Sequence, residues 1–188
     1  MSQASGDKLT SHGLPILGVG VAYGVAFLIN EHALFFTRFA DGVNWIYLPS
    51  GLRLTLVLVF GWPAAVGIAW SSMIISAGPQ VLSSLPSGLQ AVVTGLISGF
   101  APWLALLAAR RWLHIGEDLA GLRVRSLLTM AVLFAVVSAG LHQVWYGSIQ
   151  APQERLLQFA VMALGDLAGT LIVLYLGKWA LRALAKRG

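Results

Sequence analysis

Long apolar runs, broken by short polar or proline-glycine segments, dominate the chain and predict helices that cross a membrane. The runs fall at roughly 14–36, 47–62, 64–78, 87–109, 126–146 and 157–178. All but the second and third come near the ~20 residues that a helix needs to span a bilayer core. Those two derive from one 33-residue stretch, Ile46 to Gly78. A straight helix of that length would run about 50 Å against a core of ~30 Å. Pro63, after Gly61 and Trp62, is a fitting break, because proline removes a helix hydrogen bond and crowds the preceding turn. The expectation is two short helices joined by a tight, uncharged turn, with a single kinked span as the alternative.

This pattern predicts an all-α, polytopic membrane bundle of six transmembrane helices. It divides the chain into a polar N-terminal tail (1–13), a transmembrane domain (14–180) and a basic tail (181–188). Composition agrees: 57% of residues are hydrophobic and 10% charged, where soluble domains average about 25% charged. Mean hydropathy is +0.79. The first apolar run is longer than the core of a secretion signal and lacks a small-residue cleavage site, so it reads as the first span. The lipid bilayer is the first partner implied. The net charge of +5 does not indicate nucleic acid, because the basic residues flank the apolar runs. Eight of the twelve lie in two segments: Arg110, Arg111, Arg123 and Arg125, then Lys178, Arg182, Lys186 and Arg187. By the positive-inside rule both segments are cytoplasmic, and with six spans so are both termini, in a bacterial inner membrane. With no cysteine, disulfides and thiolate sites are excluded.

Two local patterns bear on packing. Leu48-Pro49-Ser50-Gly51-Leu52 recurs as Leu85-Pro86-Ser87-Gly88-Leu89. Each copy opens a run, and proline suits a first helical turn. The echo reads either as two independent helix starts or as a duplicated hairpin. Small residues four apart, Gly20/Gly24, Ala22/Ala26, Gly95/Gly99 and Gly165/Gly169, allow close helix approach and a docking face on the first span.

Polar residues add more when placed by depth. Arg53 lies about 9 Å into the second span and Asp166 about 13 Å into the sixth, both in apolar surroundings. An ionised side chain deep in hydrocarbon costs at least ~2.5–3.5 kcal/mol, so it needs a partner, a wet cavity or a function. Their opposite charges predict a pair at the floor of a polar pocket. His142 and Gln143 lie near the outer end of the fifth span with Trp145 beside them, and Gln90 lies near the outer start of the fourth. These six residues are the candidate ligand-binding set. The inner half reads as a dry plug, which suits an outward pocket better than a pore. Two other readings remain open: a register lock between helices, and proton coupling through Asp166. His32 and His142 lack metal-binding spacing, and no metal, cofactor or catalytic residue is expected. The carboxylates of Asp41, Glu117, Asp118 and Glu154 read as solvated.

Several of these features together resemble a membrane-associated sensor domain of the MASE type, found ahead of bacterial histidine kinases and cyclic-dinucleotide enzymes. They are Trp45 with Pro49-Ser50-Gly51, the Gly61-Trp62-Pro63 turn, the Arg110-Arg111 loop, and Gly165-Asp166 with Gly169. The resemblance covers about residues 14–180 and implies a non-enzymatic sensory protein. Such sensors feed a cytoplasmic output domain, whereas this sequence runs only ten residues past Lys178. It therefore implies a stand-alone domain acting through a separate signalling partner. The size and helix plan also look like the substrate-binding subunits of energy-coupling-factor vitamin transporters, where Ala22/Ala26 would dock a coupling partner. A structural assembly protein is the third reading.

Overall fold

The computed structural model describes residues 3–78, 85–116, 122–149 and 154–186, with side chains from residue 12 in the first segment and from 88 in the second. Glu117, Asp118 and Arg187 lie outside the described residues. Six α-helices make up most of the structure: α1 (Gln3–Ala33), α2 (Leu48–Phe60), α3 (Trp62–Ala77), α4 (Leu85–Leu113), α5 (Val124–Ile149) and α6 (Arg155–Ala185). Helix α1 begins within the segment expected as a polar tail. Four helices, α1, α4, α5 and α6, are long and apolar enough to cross a membrane, while α2 and α3 are shorter.

The stretch from Ile46 to Gly78 is two helices, but the break differs from expectation. Gly61 ends α2 with φ +66° and ψ −140°, a conformation that residues with a Cβ rarely adopt. Pro63 sits in the first turn of α3, where its missing N–H costs nothing. The glycine makes the turn, and the proline starts the helix after it.

Close contacts between small residues set the direction of each helix. Gly20 and Gly24 of α1 face Gly67 and Ser71 of α3, so these two helices run parallel. Gly95 and Gly99 of α4 face Ala69 and Ala65, so α4 runs antiparallel to α3. Tyr47 meets Gly165, and Gly51 packs on Gly169, Thr170 and Val173, so α2 parallels α6. Successive helices therefore alternate in direction. The Leu-Pro-Ser-Gly-Leu echo opens α2 and α4, yet its glycines differ: Gly51 is pressed against α6, while nothing lies within 4 Å of a Cβ at Gly88. That difference favours two independent helix starts.

Of the two small-residue pairs on α1, this packing engages Gly20 and Gly24. The Gly20/Gly24 face is already filled by α3 and cannot also receive a further membrane protein. Ala22 and Ala26 lie about 200° round the helix from those glycines, so they take no part in the α1–α3 approach. Both are half-buried by the chain's own helices. Ala26 falls within about 60° of Tyr23 and Asn30. Those two are buried and bonded to Tyr47 and Leu48, so Ala26 borders the face that α1 turns to the start of α2. The side of α1 left open carries Val21, Val25, Leu28 and Ile29, which are bulky rather than small.

One element departs from the all-α expectation. A 3-10 turn, Phe35–Thr37, leads into a two-stranded antiparallel ribbon, β1 (Arg38–Ala40) and β2 (Val43–Asn44). Asp41-Gly42 forms its two-residue connection, with Gly42 at φ +73°. Asp-Gly between strands is a strong hairpin signal, and the apolar runs on either side obscure it.

The buried core is apolar towards the α2–α3 turn. Leu54, Val57, Ala64, Ala65, Ile68, Ala105, Leu106, Met130 and Phe134 form one cluster there. Outside, Val21, Leu104, Val132 and Leu171 are among many large apolar side chains left exposed. Arg110 and Arg111, Arg123 and Arg125, and Lys178 and Arg182 all lie at this same end of the bundle, opposite the ribbon.

Candidate ligand-binding cavity

Arg53 sits on α2 one turn beyond the Pro49-Ser50-Gly51 start, and the seating of that start fixes its position. The Leu48 N–H donates to Asn30 Oδ1 at 3.0 Å, so α1 caps α2. The Ser50 hydroxyl lies 2.7 Å from the Asp166 carbonyl and 2.6 Å from that of Tyr47. The Tyr47 N–H donates to the Gly165 carbonyl at 3.2 Å. A Cβ at Gly165 would overlap the Asn44 carbonyl oxygen, and one at Gly169 that of Tyr47. Two glycines on α6 thus allow the chain leading into α2 to lie directly on it.

From this seat the Arg53 guanidinium reaches three other helices. Nη2 donates to Asp166 Oδ2 on α6 at 3.3 Å and to Ser138 Oγ on α5 at 3.0 Å. Nη1 donates to the Ser98 carbonyl on α4 at 3.4 Å. The guanidinium carbon lies 5.1 Å from the Phe134 ring centre and 5.8 Å from that of Tyr47, both within cation–π range. The side chains of Arg53 and Asp166 are 2% and 1% exposed, so this is a fully buried ion pair. Of the three guanidinium nitrogens, Nε has no hydrogen-bond partner, and it is buried. A buried donor without an acceptor costs about 1–3 kcal/mol.

Arg53 lines a cavity of about 280 Å³ at the ribbon end of the bundle. That is near the lower limit of small-molecule sites, which run ~300–1,000 Å³. Its walls are built from polar and aromatic side chains four residues apart on each helix: Tyr23, Phe27 and Glu31 on α1; Ser72 and Ser76 on α3; Gln90, Thr94 and Ser98 on α4; His142 and Tyr146 on α5. Four residues is just over one helical turn, so each set forms one stripe facing inward. The ribbon adds Arg38, Asp41 and Gly42 at the mouth, with Arg38 ion-paired to Glu31. Tyr23 and Tyr47 are joined hydroxyl to hydroxyl at 3.1 Å. His142 Nδ1 donates to the Ser138 carbonyl at 2.8 Å, which leaves Nε2 as the acceptor, 3.4 Å from Ser98 Oγ. Beneath Arg53 lies the apolar cluster, so the cavity has a closed floor.

Three of the six residues expected from sequence line this cavity: Arg53, His142 and Gln90. Asp166 stands behind Arg53 and holds it. Gln143 and Trp145 do not line the cavity. Gln143 is one position round α5 from His142, and its amide faces Met162 of α6 at 4.0 Å. The Trp145 indole N–H is buried without a partner. Sequence reasoning missed Tyr23, Ser98 and Ser138, although the stripes Gln90/Thr94/Ser98 and Ser138/His142/Tyr146 carry the required spacing. Asp41 is exposed, as expected of a solvated carboxylate, yet it stands at the cavity mouth.

Comparison of the chain with protein-family models, with curated proteins and with solved structures finds no match.

Proposed function

We propose that this chain is a six-span integral membrane protein that binds a small ligand in the Arg53 cavity and acts through a separate partner, in the manner of a MASE-like sensor. The observation that carries the reading is the buried Arg53, held by α4, α5 and α6 at the floor of a polar cavity that opens at the ribbon. A register lock alone needs the Arg53–Asp166 pair. It does not need a cavity lined by polar stripes from four helices, which leaves apolar packing unmade beside the pair.

Orientation supports a sensory role. The cavity and the basic helix ends lie at opposite ends of the bundle, so the positive-inside rule turns the cavity outward in a bacterial inner membrane. The alternation of helix direction supports α2 and α3 crossing as a short pair, with both termini on the cytoplasmic side.

The test is purification in lipid nanodiscs, with mass spectrometry of co-purified small molecules and proteins and a thermal-shift screen of metabolites. A stabilising ligand is expected, with its effect reduced in the wall variants Gln90→Leu and Thr94→Val. No ligand from either route, or a ligand indifferent to both variants, refutes the assignment.

A further inference from the structure

The balance of charge around the cavity points to the chemistry of its ligand. At the floor, Arg53 and Asp166 neutralise one another, so a simple anion placed on Arg53 would leave uncompensated negative charge in a buried site. At the mouth, Arg38 is paired with Glu31. Asp41, in the ribbon turn, is then the cavity-lining carboxylate without a cation among the described residues. Aromatic side chains also line the space between floor and mouth, including Tyr23, Phe27 and Tyr146. Aromatic ring faces attract cations. The cavity therefore offers the Arg53 guanidinium at its floor and cation-attracting groups above it.

Building on the ligand-binding reading, we infer that the cavity takes a small amphoteric molecule of the amino-acid or betaine class. Its carboxylate or carbonyl oxygen lies at the floor, towards the Arg53 guanidinium. Its ammonium group lies among the aromatic rings, towards Asp41. The positive end of the same molecule offsets the charge that its acceptor end brings to the floor, so the ligand adds no net charge to the site.

The test uses the full chain in nanodiscs and matched probes: γ-aminobutyrate, butyrate and butylamine, with glycine betaine and acetate as a shorter pair. Binding is read by thermal shift and isothermal titration. The expected order places each zwitterion above its des-amino partner. Asp41→Asn, an exposed substitution that leaves the core untouched, should weaken the zwitterions about two- to fivefold and should not weaken butyrate. Phe27→Leu should act in the same direction through loss of the ring face. Butyrate binding as well as or better than γ-aminobutyrate, or zwitterion affinity indifferent to both variants, overturns the inference while keeping the cavity as a ligand site. Absence of binding by every probe overturns the inference. If the metabolite screen is also empty, the ligand-binding reading falls with it.

Discussion

Arg53 and Asp166 lie 113 residues apart in the chain and 3.3 Å apart in the fold, each almost wholly withdrawn from solvent. Removing one partner strands the other as a buried charge. Arg53→Ala and Asp166→Ala should each destabilise by about 3–5 kcal/mol. The double variant Arg53→Met with Asp166→Leu should recover much of that loss, because paired apolar groups replace a paired charge. Denaturant unfolding in one fixed detergent checks both statements. If the pair serves a ligand, the recovered double variant should fold and yet fail to bind; retained binding would make the pair a register lock.

The contact between α6 and the segment preceding α2 should tolerate no side chain. Gly165→Ala and Gly169→Ala each press a methyl into a backbone carbonyl, at Asn44 and Tyr47 respectively. Each should cost about 1–3 kcal/mol. Gly177→Ala, on the same helix with nothing within 4 Å of the new methyl, should be neutral or stabilise by up to about 1 kcal/mol. Equal melting shifts at all three positions would contradict the packing described.

The α2–α3 turn rests on the backbone of one residue. Gly61→Ala should lower stability by about 1–3 kcal/mol through strain at φ +66°, although open space surrounds the site. Pro63→Ala should have little effect, since its position in the first helical turn needs no N–H partner. Thermal unfolding of the two variants would separate a glycine-made turn from a proline-made one.

Asn30 ties α1 to the start of α2. Asn30→Ala leaves the Leu48 N–H without its side-chain acceptor and should cost about 1–2 kcal/mol. Because that start positions Arg53, ligand affinity should fall as well. A stability loss with unaltered affinity would uncouple the cap from the cavity.

The absence of native cysteine makes topology directly testable. Asp41→Cys and Ser148→Cys should react with an impermeant maleimide from one side of the membrane, and Lys178→Cys from the other. Phe60→Cys should follow Lys178→Cys if α2 crosses. Labelling of Phe60→Cys together with Asp41→Cys would leave only the four long helices as spans.

Depth along a span could be read from sequence, and direction around it could not. Arg53 and Asp166 stood out because charge in an apolar run is conspicuous, and depth alone placed them together. Gln143 and Trp145 lie at nearly the same depth as His142, but a helix turns about 100° per residue, so neighbours in sequence face different helices. The same rotation separates Gly20 and Gly24 from Ala22 and Ala26: both pairs have the spacing for close packing, and only the assembled bundle shows which pair meets α3. Ser98 and Ser138 were inconspicuous because a small hydroxyl can also be satisfied by its own helix backbone. Their partner, Arg53, gives them meaning only after α4 and α5 are assembled around α2. The ribbon was missed for the opposite reason: its Asp-Gly signal is local and strong, but it is very short and lies between two spans.

The brevity of α2 and α3 bears on the surrounding lipid. With 13 and 16 residues they measure about 20 and 24 Å, several ångströms less than a ~30 Å hydrocarbon core. Phe60 and Trp62, both well exposed, flank the turn where the two helices end. If this pair crosses the membrane, the leaflet beneath the turn must dimple, at a cost that rises with acyl-chain length. The folded protein would then be most stable in thin bilayers, and thicker ones would strain the α2–α3 turn, about two helical turns along α2 from Arg53. Membrane thickness would in this way become a variable that tunes the cavity from below.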